Sequence, residues 1–141
     1  MLRRILSGVS VLAALFALPL MAADPGTIDV ELNKLEDRDN GDCRAYMVFQ
    51  NATESRLEVF QLDLVLFDAD GIITRRLALE AGPLNAGKTV VKLFDMTSTA
   101  CAEIGQILVN GVVECRTSKG PVSGCTRRTR VTTRADVPFL K

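Results

Sequence analysis

RLEVFQLDLVLFDADGIITRRLALE, residues 56–80, decides the fold. Leu62, Leu64 and Leu66 alternate with Asp63, Val65 and Phe67, a period of two that sets one apolar row on one face of a strand. Asp68-Ala69-Asp70-Gly71 reads as a tight turn. Ile72, Ile73, Leu77 and Leu79 then form a return strand around Arg75 and Arg76. The stretch predicts a β-hairpin. Leu57 and Val59 fall out of parity with Phe60 and Leu62, so a β-bulge is expected near Val59–Phe60. β-branched and aromatic residues around an Asp-Gly turn weigh against a helix.

Outward from the hairpin, the same period recurs. CRAYMVFQ, residues 43–50, is a strand with Cys43, Ala45, Met47 and Phe49 on one face. Ile28, Val30 and Leu32 alternate and predict a first, edge strand. Asn33–Asp42 is polar and reads as a loop ending at Asn40-Gly41; its acids lack the spacing of a calcium loop. Asn51-Ala52-Thr53 matches a glycosylation acceptor and serves equally as a turn. After the hairpin, Gly82–Thr89 spells the string of a phosphate-binding loop, GPLNAGKT. Such a loop must open a helix, whereas TVVKLF, residues 89–94, is strand-like, and Pro83 removes a backbone donor. A turn between strands is the better reading. Asp95–Ala102 is a polar connection, and Ile104–Glu114 reads as two short strands meeting at Asn110-Gly111. Arg116–Gly124 reads as a loop, and Arg127–Val137 as a final exposed strand, after which Phe139 packs back.

The start of the chain is a basic, apolar and small-residue succession: Arg3-Arg4, an apolar run from Val9 to Met21, then Ala22-Ala23. It reads as a signal peptide over 1–23 and predicts export to the periplasm. The arginine pair fits a general or a twin-arginine route. Residues 24–141 then form one domain. Residues 24–115 hold 16 acids and 8 bases, while 116–141 hold 7 bases and 1 acid. The basic segment therefore has two outlets, the acidic body of its own chain or an anionic partner surface.

Cys43, Cys101, Cys115 and Cys125 are even in number, which in an exported chain predicts two disulfides. Three pairings are compatible with four cysteines; one of them joins Cys115 to Cys125 and leaves Cys43 with Cys101. No Cys-x-x-Cys pair suggests a redox centre. The chain has no His, which excludes a Ser-His-Asp triad and imidazole-built metal sites. Asp63, Asp68 and Asp70 are the nearest thing to a carboxylate cluster, but Asp68 and Asp70 have turn roles. No catalytic residue, cofactor or metal site is expected.

Phe60-Gln61-Leu62 and Leu66-Phe67-Asp68 are followed by the turn Ala69-Asp70-Gly71, then by Pro83-Leu84-Asn85-Ala86-Gly87 before a strand. With Asn51 soon after the first strand of the run, Tyr46–Phe94 resembles the immunoglobulin-like FxLYD domains. The whole chain, with its four cysteines and Val137-Pro138-Phe139 near the end, resembles a group of small exported α-proteobacterial proteins with twin-arginine signal sequences. The resemblance implies an immunoglobulin-like core and supplies no shared catalytic residues.

The expected fold is thus an all-β, antiparallel, immunoglobulin-like sandwich of about seven strands with two disulfides. The expected role is non-enzymatic, an interaction or accessory domain for another envelope protein. Its contact would be a sheet edge or the basic residues Arg127, Arg128, Arg130 and Arg134, the last three on one strand face. The alternative is a small-ligand or lipid-binding periplasmic protein, which requires an apolar cavity. No nucleic-acid partner is expected.

Overall fold

The hairpin of residues 56–80 is present in the computed structural model, which describes residues 26–141; the expected signal segment 1–23 lies outside the described residues. The strands are β1 (Ile28–Asp37), β2 (Cys43–Asn51), β3 (Val59–Phe67), β4 (Ile73–Glu80) and β5 (Lys88–Met96). A 3-10 turn at Cys101–Glu103 leads into β6 (Gln106–Thr117) and β7 (Gly120–Pro121). A single helical turn, α1 (Cys125–Arg128), precedes β8 (Thr129–Thr133) and β9 (Phe139–Leu140). One sheet runs β5-β2-β1-β8, the other β4-β3-β6-β7 with β9 also on β6.

The two sheets meet through alternate residues of each strand, as the period of two requires. Phe60, Leu62, Leu64 and Leu66 of β3 are buried, as are Val30 and Leu32 of β1 and Ala45, Met47 and Phe49 of β2. Leu79, Ile107, Val109 and Phe139 complete the same core. Asp68 Oδ1 accepts hydrogen bonds from the backbone N–H of Asp70 and Ile72 at 3.0 and 2.9 Å, and Gly71 has a φ of +78°. The hairpin turn is therefore built from the short carboxylate and the glycine that such turns demand.

Several local expectations are corrected. No register shift occurs at Val59–Phe60. Leu57 instead lies before β3 and bridges to Leu84, with reciprocal backbone bonds of 3.0 and 2.8 Å, so the change of parity marks the strand's entry. The shifts fall opposite Gln61/Leu62 and Asp63/Leu64, where β6 carries Val113 and Asn110 as extra residues. Asn110-Gly111 is thus a bulge within one twelve-residue strand, because β6 must stay paired with β3 on both sides of it.

β1 is not an edge strand. It continues to Asp37 past an irregularity at Leu32/Lys34 and lies between β2 and β8. The sandwich is not wholly antiparallel either, since β1 pairs in parallel with β8 and β6 with β9. The expected strand over Arg127–Val137 shrinks to Thr129–Thr133, because the Cys115–Cys125 bridge holds the preceding residues in a helical turn.

The bridges are Cys43–Cys101 and Cys115–Cys125, with sulfur separations of 2.01 and 2.08 Å. The first ties the start of β2 to the crossover between β5 and β6. The second ties the end of β6 to α1. Gly82–Thr89 is the connection from β4 to β5, with a cis peptide bond before Pro83, and Lys88 already begins a strand. The phosphate-loop string therefore opens no helix.

Candidate functional site

The open side of the sandwich lies between two edge strands, β4 of one sheet and β5 of the other. On β4 the inward row is Arg75, Leu77 and Leu79, since these pair with Leu66, Leu64 and Leu62 of β3. On β5 the inward row is Val90, Lys92, Phe94 and Met96, opposite Phe49, Met47, Ala45 and Cys43. Between the rows a slot of about 360 Å³ reaches the core, lined by Met47, Leu64, Leu77, Leu79, Phe94 and Ile107 among others.

Each edge sends one cationic side chain across this opening. Arg75 Nη1 donates to the carbonyl oxygen of Thr97 and, at 3.1 Å, to Thr99 Oγ1; its Nη2 reaches Thr97 Oγ1 at 3.4 Å. Lys92 Nζ donates to the carbonyls of Gly82 and Pro83 at 3.0 and 3.4 Å. Arg75 thus bridges the two edges within the lining of the slot, and Lys92 bridges β5 to the connection that follows β4. Burial lowers the Lys92 pKa, with Glu80 opposing the shift. Glu80 itself accepts from the backbone N–H groups of Phe60 and Gly82 at 3.1 and 2.7 Å.

The two edges differ as docking surfaces. β4 is interrupted by a register shift at Leu66/Phe67 and carries adjacent arginines, both of which blunt an edge. β5 pairs with β2 over nine residues without a shift and contains no proline. Its outer positions Val91 and Leu93 are 56% and 47% exposed. Its charged positions are Lys88 at its start, the inward-pointing Lys92, and Asp95, which Arg44 of β2 holds.

The basic segment is less of a unit than the sequence suggests. Arg127 and Arg128 lie on α1, and Arg128 Nη2 donates to the Ser123 carbonyl at 3.3 Å. Arg130 lies on β8 in register with Asp29 of β1. Arg134, just past β8, donates from Nε to Glu31 Oε2 at 3.1 Å. Arg128 therefore does not share a strand face with Arg130 and Arg134, because the helical turn intervenes. Arg134 and Glu31 join the basic end of the chain to the acidic body.

The carboxylates do not form a cluster. Asp63 points to the outer face of β3 and is 6% exposed. Arg76 donates to both of its oxygens at 2.8 Å, and Asn110 Nδ2 adds a third bond at 2.7 Å. The Arg76 and Asn110 bonds lower its pKa to about 2. The bulge in β6 is what brings Asn110 to Asp63, a contact that no period in the sequence signals. Asp68 is occupied in the turn. Among the described residues no group of His, Cys, Asp or Glu is placed to hold a metal ion.

Asn51 is fully buried at the end of β2. Its Nδ2 donates to the carbonyls of Ser55 and Leu84 at 2.9 and 3.0 Å, and its Oδ1 accepts from the N–H and hydroxyl of Thr53 at 3.0 and 2.7 Å. Its amide is a structural hub rather than an accessible acceptor for a glycan.

No family model matches the chain, and no curated protein does. Among solved structures, IrmA from Escherichia coli aligns with a TM-score of 0.57 at 12% identity, over 74% of this chain and 90% of that one. At that identity the likeness extends to the fold alone.

Proposed function

We propose that this chain is an exported, non-enzymatic domain of immunoglobulin-like architecture that binds another protein of the cell envelope along the free edge of β5. The observation that carries the reading is that edge: nine residues in unbroken register on one side, no strand partner on the other among the described residues, and Val91 and Leu93 exposed. An extended segment of a partner would continue the sheet by main-chain hydrogen bonds and cover those two side chains. Two disulfides support an oxidising compartment. Partition of β1, β2 and β5 into one sheet and β3, β4 and β6 into the other supports the immunoglobulin-like assignment, matching strands A, B, E and C, C′, F of that fold.

Mild crosslinking of the protein in its native envelope, read by mass spectrometry, tests the proposal. One dominant protein partner is expected, crosslinked at β5. It should be lost in Val91→Asp/Leu93→Asp and kept in Arg127→Glu/Arg130→Glu. The reverse pattern would transfer the contact to the basic segment, and a monomer without a partner would overturn the reading. A second reading, a small-ligand or lipid-binding protein, is favoured by the 360 Å³ apolar slot, whose volume lies within the range of ligand pockets, about 300–1,000 Å³.

A further inference from the structure

Three arginines of the two sheets invite comparison. Arg76 turns its Nε and Nη2 toward the two oxygens of Asp63, and Arg44 turns the same pair toward Asp95 at 2.6 and 2.7 Å. This side-on fork is the geometry in which a guanidinium holds a carboxylate. Arg75 is engaged differently. Its Nη1 donors are taken by Thr97 and Thr99, and one Nη2 donor reaches Thr97 Oγ1. A guanidinium has five N–H donors, so Nε and the second Nη2 proton are left. Those two make up the fork, and among the described residues no carboxylate pairs with it.

Arg75 lines the apolar slot, which runs along β4 from Arg75 to Glu80, about 17 Å at the usual strand rise, and on its other side borders a polar hollow edged by Asp68, Asp70 and Glu103. The walls of the slot are mostly aliphatic and aromatic side chains; the carboxylates in its lining are already engaged, Asp95 by Arg44 and Glu80 by the backbone N–H groups of Phe60 and Gly82. At the far end the slot is lined by Glu80, and Lys92 lies outside the lining, donating to the Gly82 and Pro83 carbonyls.

An apolar channel with one arginine fork at one end is complementary to a molecule with one alkyl chain and one terminal carboxylate. Resting on the small-ligand reading above, we propose that the slot between β4 and β5 binds a medium-chain fatty acid, its carboxylate on Arg75 and its chain lying against Leu77, Leu79 and Phe94.

The test is isothermal titration calorimetry of the disulfide-intact protein with dodecanoate and, in parallel, with dodecanol, which has the chain without the charge. Dodecanoate is expected to bind about tenfold to a hundredfold more tightly, the range of a charge-assisted hydrogen-bonded pair. Arg75→Gln should erase that difference and leave dodecanol binding unchanged. Leu79→Trp, which fills the slot, should abolish both. Equal binding of the two ligands to the unaltered protein would overturn the carboxylate assignment while leaving the slot a ligand site. No binding of either would overturn the small-ligand reading with it. The comparison of ligands needs no variant, so it stands even if a substitution prevents folding.

Discussion

Replacing Asp63 by Asn isolates the outer-face cluster of β3, β4 and β6. The carboxylate is held by three hydrogen bonds, two from Arg76 and one from Asn110. Its pKa falls from an ordinary 3.8 to about 2. At about 1.4 kcal/mol per pKa unit, that depression corresponds to roughly 2 kcal/mol favouring the folded, ionised state. The Arg76 side chain is 66% exposed, so water screens part of the attraction, and the expected loss at pH 7 is about 1–2 kcal/mol. For a domain of this size that is a fall in Tm of about 5 °C.

The sign fixes the pH window. The folded-state value lies below the unfolded one, so the contribution is present above about pH 4 and disappears as pH falls through about 2. Thermal melts of both proteins by circular dichroism between pH 7 and pH 2 would show it. The two melting curves should be well separated at pH 7 and converge toward pH 2. A gap that stays constant down to pH 2 would mean that the introduced amide disturbs packing and that the ionised pair contributes nothing.

The two disulfides close loops of very different length, with separations of 58 and 10 residues. By loop entropy, the double Ala replacement at Cys43 and Cys101 should cost about 4 kcal/mol, and that at Cys115 and Cys125 about 3 kcal/mol. Urea titrations of both variants check the ranking, and the opposite order would count against an origin in the unfolded chain. Asn51→Ala leaves the N–H of Thr53 without a partner in the interior, while the Leu84 and Ser55 carbonyls keep the Leu57 N–H and the Thr53 hydroxyl. A loss of about 1–3 kcal/mol is expected from urea titration at pH 7, and a value below about 0.5 would show that water replaces the amide.

The hairpin was legible because leucine alternation and an Asp-Gly turn are both local signals. The buried faces of β2 and β3 were legible for the same reason, since a two-residue period needs no knowledge of the partner strand. What the sequence concealed depends on contacts between distant segments. Asn110-Gly111 has the composition of a tight turn, and only the pairing of β6 with β3 on both sides makes it a bulge. Arg127–Val137 alternates like a strand, yet the bond from Cys115 to Cys125 bends its first residues into a helical turn. The candidate slot was hidden because Arg75 and Lys92 read as ordinary polar positions of exposed strands. Their inward direction follows from register, which sequence does not supply.

The parallel pairing of β1 with β8 has a bearing on how the chain is made. Leu32 and Thr133 are 101 positions apart and share a hydrogen bond in one sheet. β1 therefore acquires its second neighbour only after β2 to β7 have been made. A truncated product ending before Thr129 would exchange the five-residue edge β8 for the ten-residue edge β1, a longer template for foreign chains. Arrival of the segment from Thr129 onward thus replaces a long exposed edge by a short one, so β8 acts as a cover for β1 as well as a strand of the sheet.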